Sequence, residues 1–297
     1  MSKSPSIRSN QPSLRNQRTI DITVRMVIAA ILITFSVFPV LWMLSASFNP
    51  TGSLATQTLI PRKIGVGNYN ELFTSGEFPY WRWMGNSIKI AAITSVVSLS
   101  ITTIAAYAFS RFRFRGRITM LKGILLLNVF PGLLALVATF LMISQLGDII
   151  PYLGLNTHAS LILVYLGGAM GVNIWLMKGF LDTIPRDIDE SAMVEGASNW
   201  QIFLKLILPL LRPILVTIAI LNFITTYGEF VLARVLLKST EQYTLMVGLQ
   251  IFTGAQFQQR WGVFAAGALI GALPIMIIYL ALQDQIVGGL TQGAVKG

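Results

Sequence analysis

The 297-residue chain has no cysteine, which excludes disulfides, thiolate catalysis and cysteine-bound metal. Its single histidine, His158, cannot build a metal site alone and is expected in a loop. No G-x-x-x-x-G-K-[ST] run occurs, so the chain carries no phosphate-binding loop of its own. Charge is scarce too: 11% of residues are Asp, Glu, Lys or Arg, against about 25% in a soluble domain. Acids are the scarcest, 12 against 22 bases, for a net charge of +10. In so apolar a chain that surplus points to basic loops beside anionic lipid headgroups, not to a groove for nucleic acid.

What is abundant is hydrocarbon, with 54% of residues hydrophobic. A helix needs about 20 residues to cross about 30 Å of lipid. Six runs qualify, near 26–47, 90–110, 123–147, 159–177, 208–228 and 261–283. Five are free of charge, and the one at 208–228 holds only Arg212. The fold class expected is therefore all-α, a polytopic membrane protein with six transmembrane helices occupying residues 24–283. Residues 1–23, polar and Ser/Arg-rich, read as a disordered tail. Residues 284–297 read as a Gly-rich tail.

With six crossings both termini share one side with the even-numbered loops. That side collects 15 Lys and Arg against 7 on the other, and "RFRFRGR" at 111–117 alone has four Arg. The positive-inside rule places both termini and the large loop at about 182–209 in the cytoplasm. On this reading the "RFRFRGR" run does no more than set topology.

That loop contains "DIDESAMVEGASNWQIFLKLILP" at 187–209. As a seventh crossing, its charges from Asp182 to Lys205 would cost about 12–18 kcal/mol in total, so it lies outside the hydrocarbon. Asp187, Asp189 and Glu190 suit the positive end of a short helix. Gly196 suits its left-handed C-terminal cap, and Ser198 with Gln201 forms a capping box for a second helix. Ile188, Ala192 and Glu195 fall near one face, while Ala192 and Ala197 are small enough to admit a close neighbour. The second helix is expected to stop or kink near Pro209.

Glu190, Ala192, Gly196, Leu208 and Pro209 fit, position by position, the "E-A-A-x3-G-x9-I-x-L-P" signature of ABC-importer permeases. Ser191 stands where the first Ala belongs, and Leu206 where the signature has Ile. "GLNTH" at 154–158, "YLGG" at 165–168, Trp175 with "KG" at 178–179, "YTLMVGLQ" at 243–250 and the terminal "GLTQGAVKG" narrow the likeness. From about residue 24 to its last residue the chain resembles the maltose/maltodextrin branch of the binding-protein-dependent permeases.

The resemblance implies a sugar-import subunit of the bacterial cytoplasmic membrane. Its partners would be a second homologous permease, two copies of an ABC ATPase and an extracytoplasmic sugar-binding protein. ATP and Mg would sit on the ATPase subunits, with no cofactor on this chain, which is not itself an enzyme. The coupling residues implied are Glu190, Ser191, Ala192, Glu195, Gly196, Ala197 and Pro209, with Glu190 pairing a base on the ATPase. Residues 240–258 would be an outer loop touching the binding protein.

Asn128, Asn173 and Asn222 lie inside expected crossings, where they either line a polar sugar path or bond helix to helix. Gly167–Gly171 and Gly267–Gly271 suit close helix packing. Pro39, Pro131, Pro213 and Pro274 should loosen their helices. Glu229 sits near a span end, where it can reach the interface. A self-sufficient transporter would call for mid-membrane charges or inverted repeats, and an intramembrane enzyme for a catalytic constellation. The crossings contain neither Asp nor Lys.

Overall fold

The computed structural model describes residues 14–50, 58–61, 63–74, 76, 78–129, 131–254 and 260–294. Every regular element among them is helical. In chain order they are α1 (Leu14–Ser47), α2 (Gly67–Thr74), α3 (Tyr80–Arg111), α4 (Arg117–Val129), α5 (Leu136–Ile149), α6 (His158–Leu181), α7 (Asp187–Val194), α8 (Asn199–Ile202), α9 (Leu208–Leu210), α10 (Arg212–Tyr227), α11 (Val231–Leu236), α12 (Leu245–Gln250) and α13 (Trp261–Ala294). Residues 14–23, expected in the disordered tail, continue α1, and residues 284–294 of the expected tail continue α13. Both extensions adjoin long apolar helices, and no proline falls within either extension.

Five helical segments are long and apolar enough to cross a membrane: Ile22–Ser47, Tyr80–Arg111, Gly132–Ile149, His158–Leu181 and Trp261–Gln283. A bent pair, Asn199–Leu210 with Arg212–Tyr227, makes a sixth if taken as one crossing. It departs from the straight crossing expected at 208–228, because its halves meet at 75°. Pro209 and Pro213 have no N–H to donate. A π turn at Phe203–Ile207 precedes Pro209, with the Leu208 N–H reaching back to the Phe203 carbonyl. The break itself falls at Leu211, two residues before Pro213. The crossing expected at 123–147 is also interrupted, by a 3-10 turn at Gly132–Ala135 following Pro131. Pro39 and Pro274, by contrast, lie inside continuous α1 and α13.

The helices bury apolar side chains at both ends of the bundle. At one end, here the far end, Tyr80 and Trp83 of α3 pack with Tyr227, Leu245, Leu249 and Phe252. The segment 243–250, expected on an outer docking loop, is instead largely interior, with Leu245, Val247, Gly248 and Leu249 buried. Its packing partners, Trp83 and the glycines of α13, are remote in sequence. Residues 255–258 of that expected loop lie outside the described residues. At the opposite end, here the loop end, Tyr107, Met177, Leu181, Ile202, Phe203 and Ile207 form a second cluster.

The "GLNTH" run has a structural role at the far end. Asn156 adopts φ 62°, and its Oδ1 accepts from the backbone of Lys238 and Ser239, 2.9 Å each. Thr157 caps α6 by accepting from the Ser160 N–H. His158 opens α6, and its Nε2 lies 2.9 Å from the Gln242 carbonyl. It is a helix-start residue, not the loop residue expected.

Candidate functional site

The 187–209 segment folds as its caps dictate. Three acids occupy the first turn of α7, where they offset the helix dipole. Gly196 takes φ +86° with open space around it, so the demand for glycine is conformational. Its N–H donates to the Met193 carbonyl and that of Ala197 to the Ala192 carbonyl, both at 3.0 Å. This is a Schellman motif, whose usual apolar contact joins the residues that Ala192 and Ala197 occupy here. Ser198 and Gln201 form both bonds of the capping box that opens α8.

Ala192 is 8% exposed, packs with Ile202 and Phe203, and lines the floor of an open groove beside Glu195, Gly196 and Ala197. Glu190, Ser191, Glu195, Gly196 and Pro209 are exposed, and Ala197 is half-buried. The outward face also carries apolar groups the sequence reading had not singled out: Met193, Trp200 and Val194, the last 89% exposed. Beside them a groove of about 360 Å³ runs between α7 and the π turn, with Glu195 and Lys205 on its rim and Ile202 and Leu206 in its wall.

Beneath that face, charges tie the segment to two long helices. Arg111, the last residue of α3, places Nε 2.9 Å from Asp189 Oδ2, both side chains being 7% exposed. Its Nη2 donates to the Ile184 carbonyl at 3.0 Å. Arg186 Nη2 donates to the Ser110 carbonyl at 2.8 Å. Ser110 Oγ donates to Asp182 Oδ1 at 2.6 Å, and Lys178 bonds the other carboxylate oxygen at 2.5 Å. Arg111 therefore does more than set topology. The Lys178–Asp182 pair shows the i,i+4 spacing of a helix pair, whereas nothing in the sequence joins Arg111 to Asp189.

The two carboxyls respond in opposite directions. Burial pushes the Asp189 carboxyl above its ordinary value, outweighing the nearby charges of Arg111 and Arg186. Burial also acts to raise Asp182, but the bonds from Lys178 and Ser110, with the charges of Lys178 and Arg117, bring it below the ordinary value.

Within the crossings, Asn173 Nδ2 donates to Asn222 Oδ1 at 2.8 Å, joining α6 to α10. The Asn222 Nδ2 is buried and unpaired. Asn128 donates to the Ile124 carbonyl of its own helix and packs over Gly171 of α6. Glu229 accepts from the Tyr165 hydroxyl and from the N–H groups of Leu232 and Ala233. It caps α11 and is satisfied within the chain. Among the described residues no group of three or more His, Asp or Glu could hold a metal ion.

The model of the family described as "binding-protein-dependent transport system inner membrane component" matches residues 98–291, from mid-α3 through α13. The chain belongs to that family. Members of this permease family with sequences similar to it include the maltose/maltodextrin permease MalG of Vibrio vulnificus, 43% identical over 272 residues, 88% of this chain and 91% of that one. The galactooligosaccharide permease GanQ of Bacillus subtilis is 42% identical over 279 residues, 92% and 96% of the two chains. Among solved structures, a chain of a bacterial ABC transporter that imports alginate superposes with TM-score 0.76 at 25% identity, covering 93% of this chain and 99% of its own. The inner-membrane permease family and the helical bundle thus agree.

Proposed function

We propose that this chain is one permease of an ATP-driven importer for maltose and maltodextrins. It pairs with a second homologous permease, and its 187–198 segment seats in one of two ATPase subunits. Those subunits carry ATP and Mg, and an extracytoplasmic binding protein delivers the sugar at the far end. The loop end faces the cytoplasm, in keeping with the 15-to-7 division of basic residues.

The observation that carries this reading is the outward face of α7. Glu190, Ser191 and Glu195 surround the exposed Val194 and Met193 on a helix whose C-terminal end is closed by the Gly196 turn. An acidic rim around an apolar knob suits a partner cleft with basic walls. Asn222, with its free amide donor, and Asn128 and Asn173 are candidates for the polar lining of the sugar path once the helices part.

Affinity purification from the native membrane tests the assembly. A nucleotide-binding ATPase and a second permease should co-purify, and recovery of this chain alone would sink the proposal. The likeness to GanQ supports a second substrate reading, a galactooligosaccharide. Competition of labelled maltotriose uptake by maltose and by galactobiose separates the two.

A further inference from the structure

The docking reading uses the outward face of α7 and leaves its buried side unexplained. There Arg111 and Asp189 sit as an ion pair at 2.9 Å, nearly sealed from solvent. The Arg111 Nε and both carboxylate oxygens lack aligned hydrogen-bond partners. Such a pair is a poor source of stability, because the desolvation of both charges offsets their attraction. What it does supply is position. Salt-bridge and hydrogen-bond contacts from Ser110 and Arg111 reach Asp182, Ile184, Arg186 and Asp189, so the end of α3 is fixed to the whole run between α6 and α7.

From that end α3 runs without proline for 32 residues. At its far end Trp83 Nε1 donates to the Thr240 carbonyl, and Asn86 Nδ2 to the carbonyls of Glu241 and Tyr243. Ser87 Oγ accepts from the Leu245 N–H. The same helix that grips α7 therefore organises the chain entering α12.

We propose that Arg111 and Asp189 are positioning residues forming the joint that passes movement of the 187–198 segment into α3 and on to residues 240–245. The proposal rests on the importer reading above. Neither residue lies on the face offered to an ATPase, so removing the joint should disconnect transport from ATP hydrolysis without dissolving the complex.

The test uses the full complex in liposomes, with its ATPase subunits, second permease and binding protein, reading maltose uptake and ATP hydrolysis on the same vesicles. In D189N and R111Q, hydrolysis measured without the binding protein should stay within about twofold of wild type while uptake falls about tenfold. R111C/D189C in this Cys-free chain should behave alike, and bridging its two thiols with a short bifunctional reagent should restore uptake. Unchanged uptake in D189N and R111Q would overturn the joint. So would a parallel fall in uptake and hydrolysis, the mark of a merely structural pair, or a thiol bridge that restores nothing. A wild-type preparation lacking an ATPase would defeat the importer reading. Wild-type import with an unaltered ratio in the variants would defeat only the joint.

Discussion

Tyr80 and Tyr227 approach α13 from different helices and end one turn apart on it. The Tyr80 hydroxyl donates to the Gly267 carbonyl at 2.7 Å and the Tyr227 hydroxyl to the Gly271 carbonyl at 2.8 Å. The side chains of Leu249 and Leu245 lie over the same two glycines. Three elements, α3, α10 and α12, thus meet along one bare stripe, where small residues let helices approach closely.

This far-end packing leaves no room at Gly248, where an added Cβ would overlap the ring of the fully buried Trp83. G248A should destabilise the purified protein by about 1–3 kcal/mol, the usual cost of overpacking. Thermal unfolding in detergent measures it. An unchanged midpoint would mean that Trp83 has space to retreat.

Gly196 makes a different demand, since its surroundings are empty and only its φ of +86° excludes side chains. A non-glycine residue there costs about 1–2 kcal/mol, with Asn the best tolerated. Maltose uptake should therefore fall in the order Gly, Asn, Ala, Val, with membrane insertion intact throughout. Full activity in G196V would show that the left-handed turn is dispensable.

Val194 touches little within the chain, so V194D should leave folding unaltered. It should nevertheless remove an apolar contact worth about 1.5–3 kcal/mol when fully buried. Recovery of ATPase subunits on affinity resin should drop about tenfold or more. Normal recovery would exclude α7 as the apolar anchor.

The loop-end carboxyls predict opposite slopes with pH. The depressed Asp182 contributes stability that is complete above the ordinary 3.8 and is lost as pH falls through its lower folded value. The raised Asp189 contributes stability present below 3.8 and lost as pH rises through its folded value. In thermal midpoints, the slope of D182N should depart from wild type on the acid side of 3.8, and that of D189N on the alkaline side. Both departures on one side would contradict these environments.

Local chemistry was legible and remote pairing was not. The helix–glycine–helix at 187–202 could be read because Gly196, Ser198 and Gln201 act within a few residues of one another. Arg111 and Asp189 are 78 positions apart, each inside a block of similar charges, and no spacing marks them as partners. The interruption after Pro131 followed from one missing N–H. The break at Leu211 was harder to locate, since Pro209 and Pro213 each free a carbonyl and the burial of Leu211 fixes the corner. The resemblance placed 243–250 on an outer loop, and its burial depends on Trp83, Gly267 and Gly271, which pack on it from other helices and which no local spacing announces.

The 75° corner at Leu211 also has a mechanical meaning. The run Asn199–Leu210 makes an arm about 18 Å long, so a turn of about 10° at the corner sweeps its tip by about 3 Å. Through the proposed joint at Ser110 and Arg111, that sweep would become a tilt of α3, a rod about 48 Å long. A displacement of about 3 Å at one end of such a rod needs only about 4° of inclination. On the proposed joint, a modest rotation at the loop end would become a still smaller lean of a stiff helix that reaches the far end.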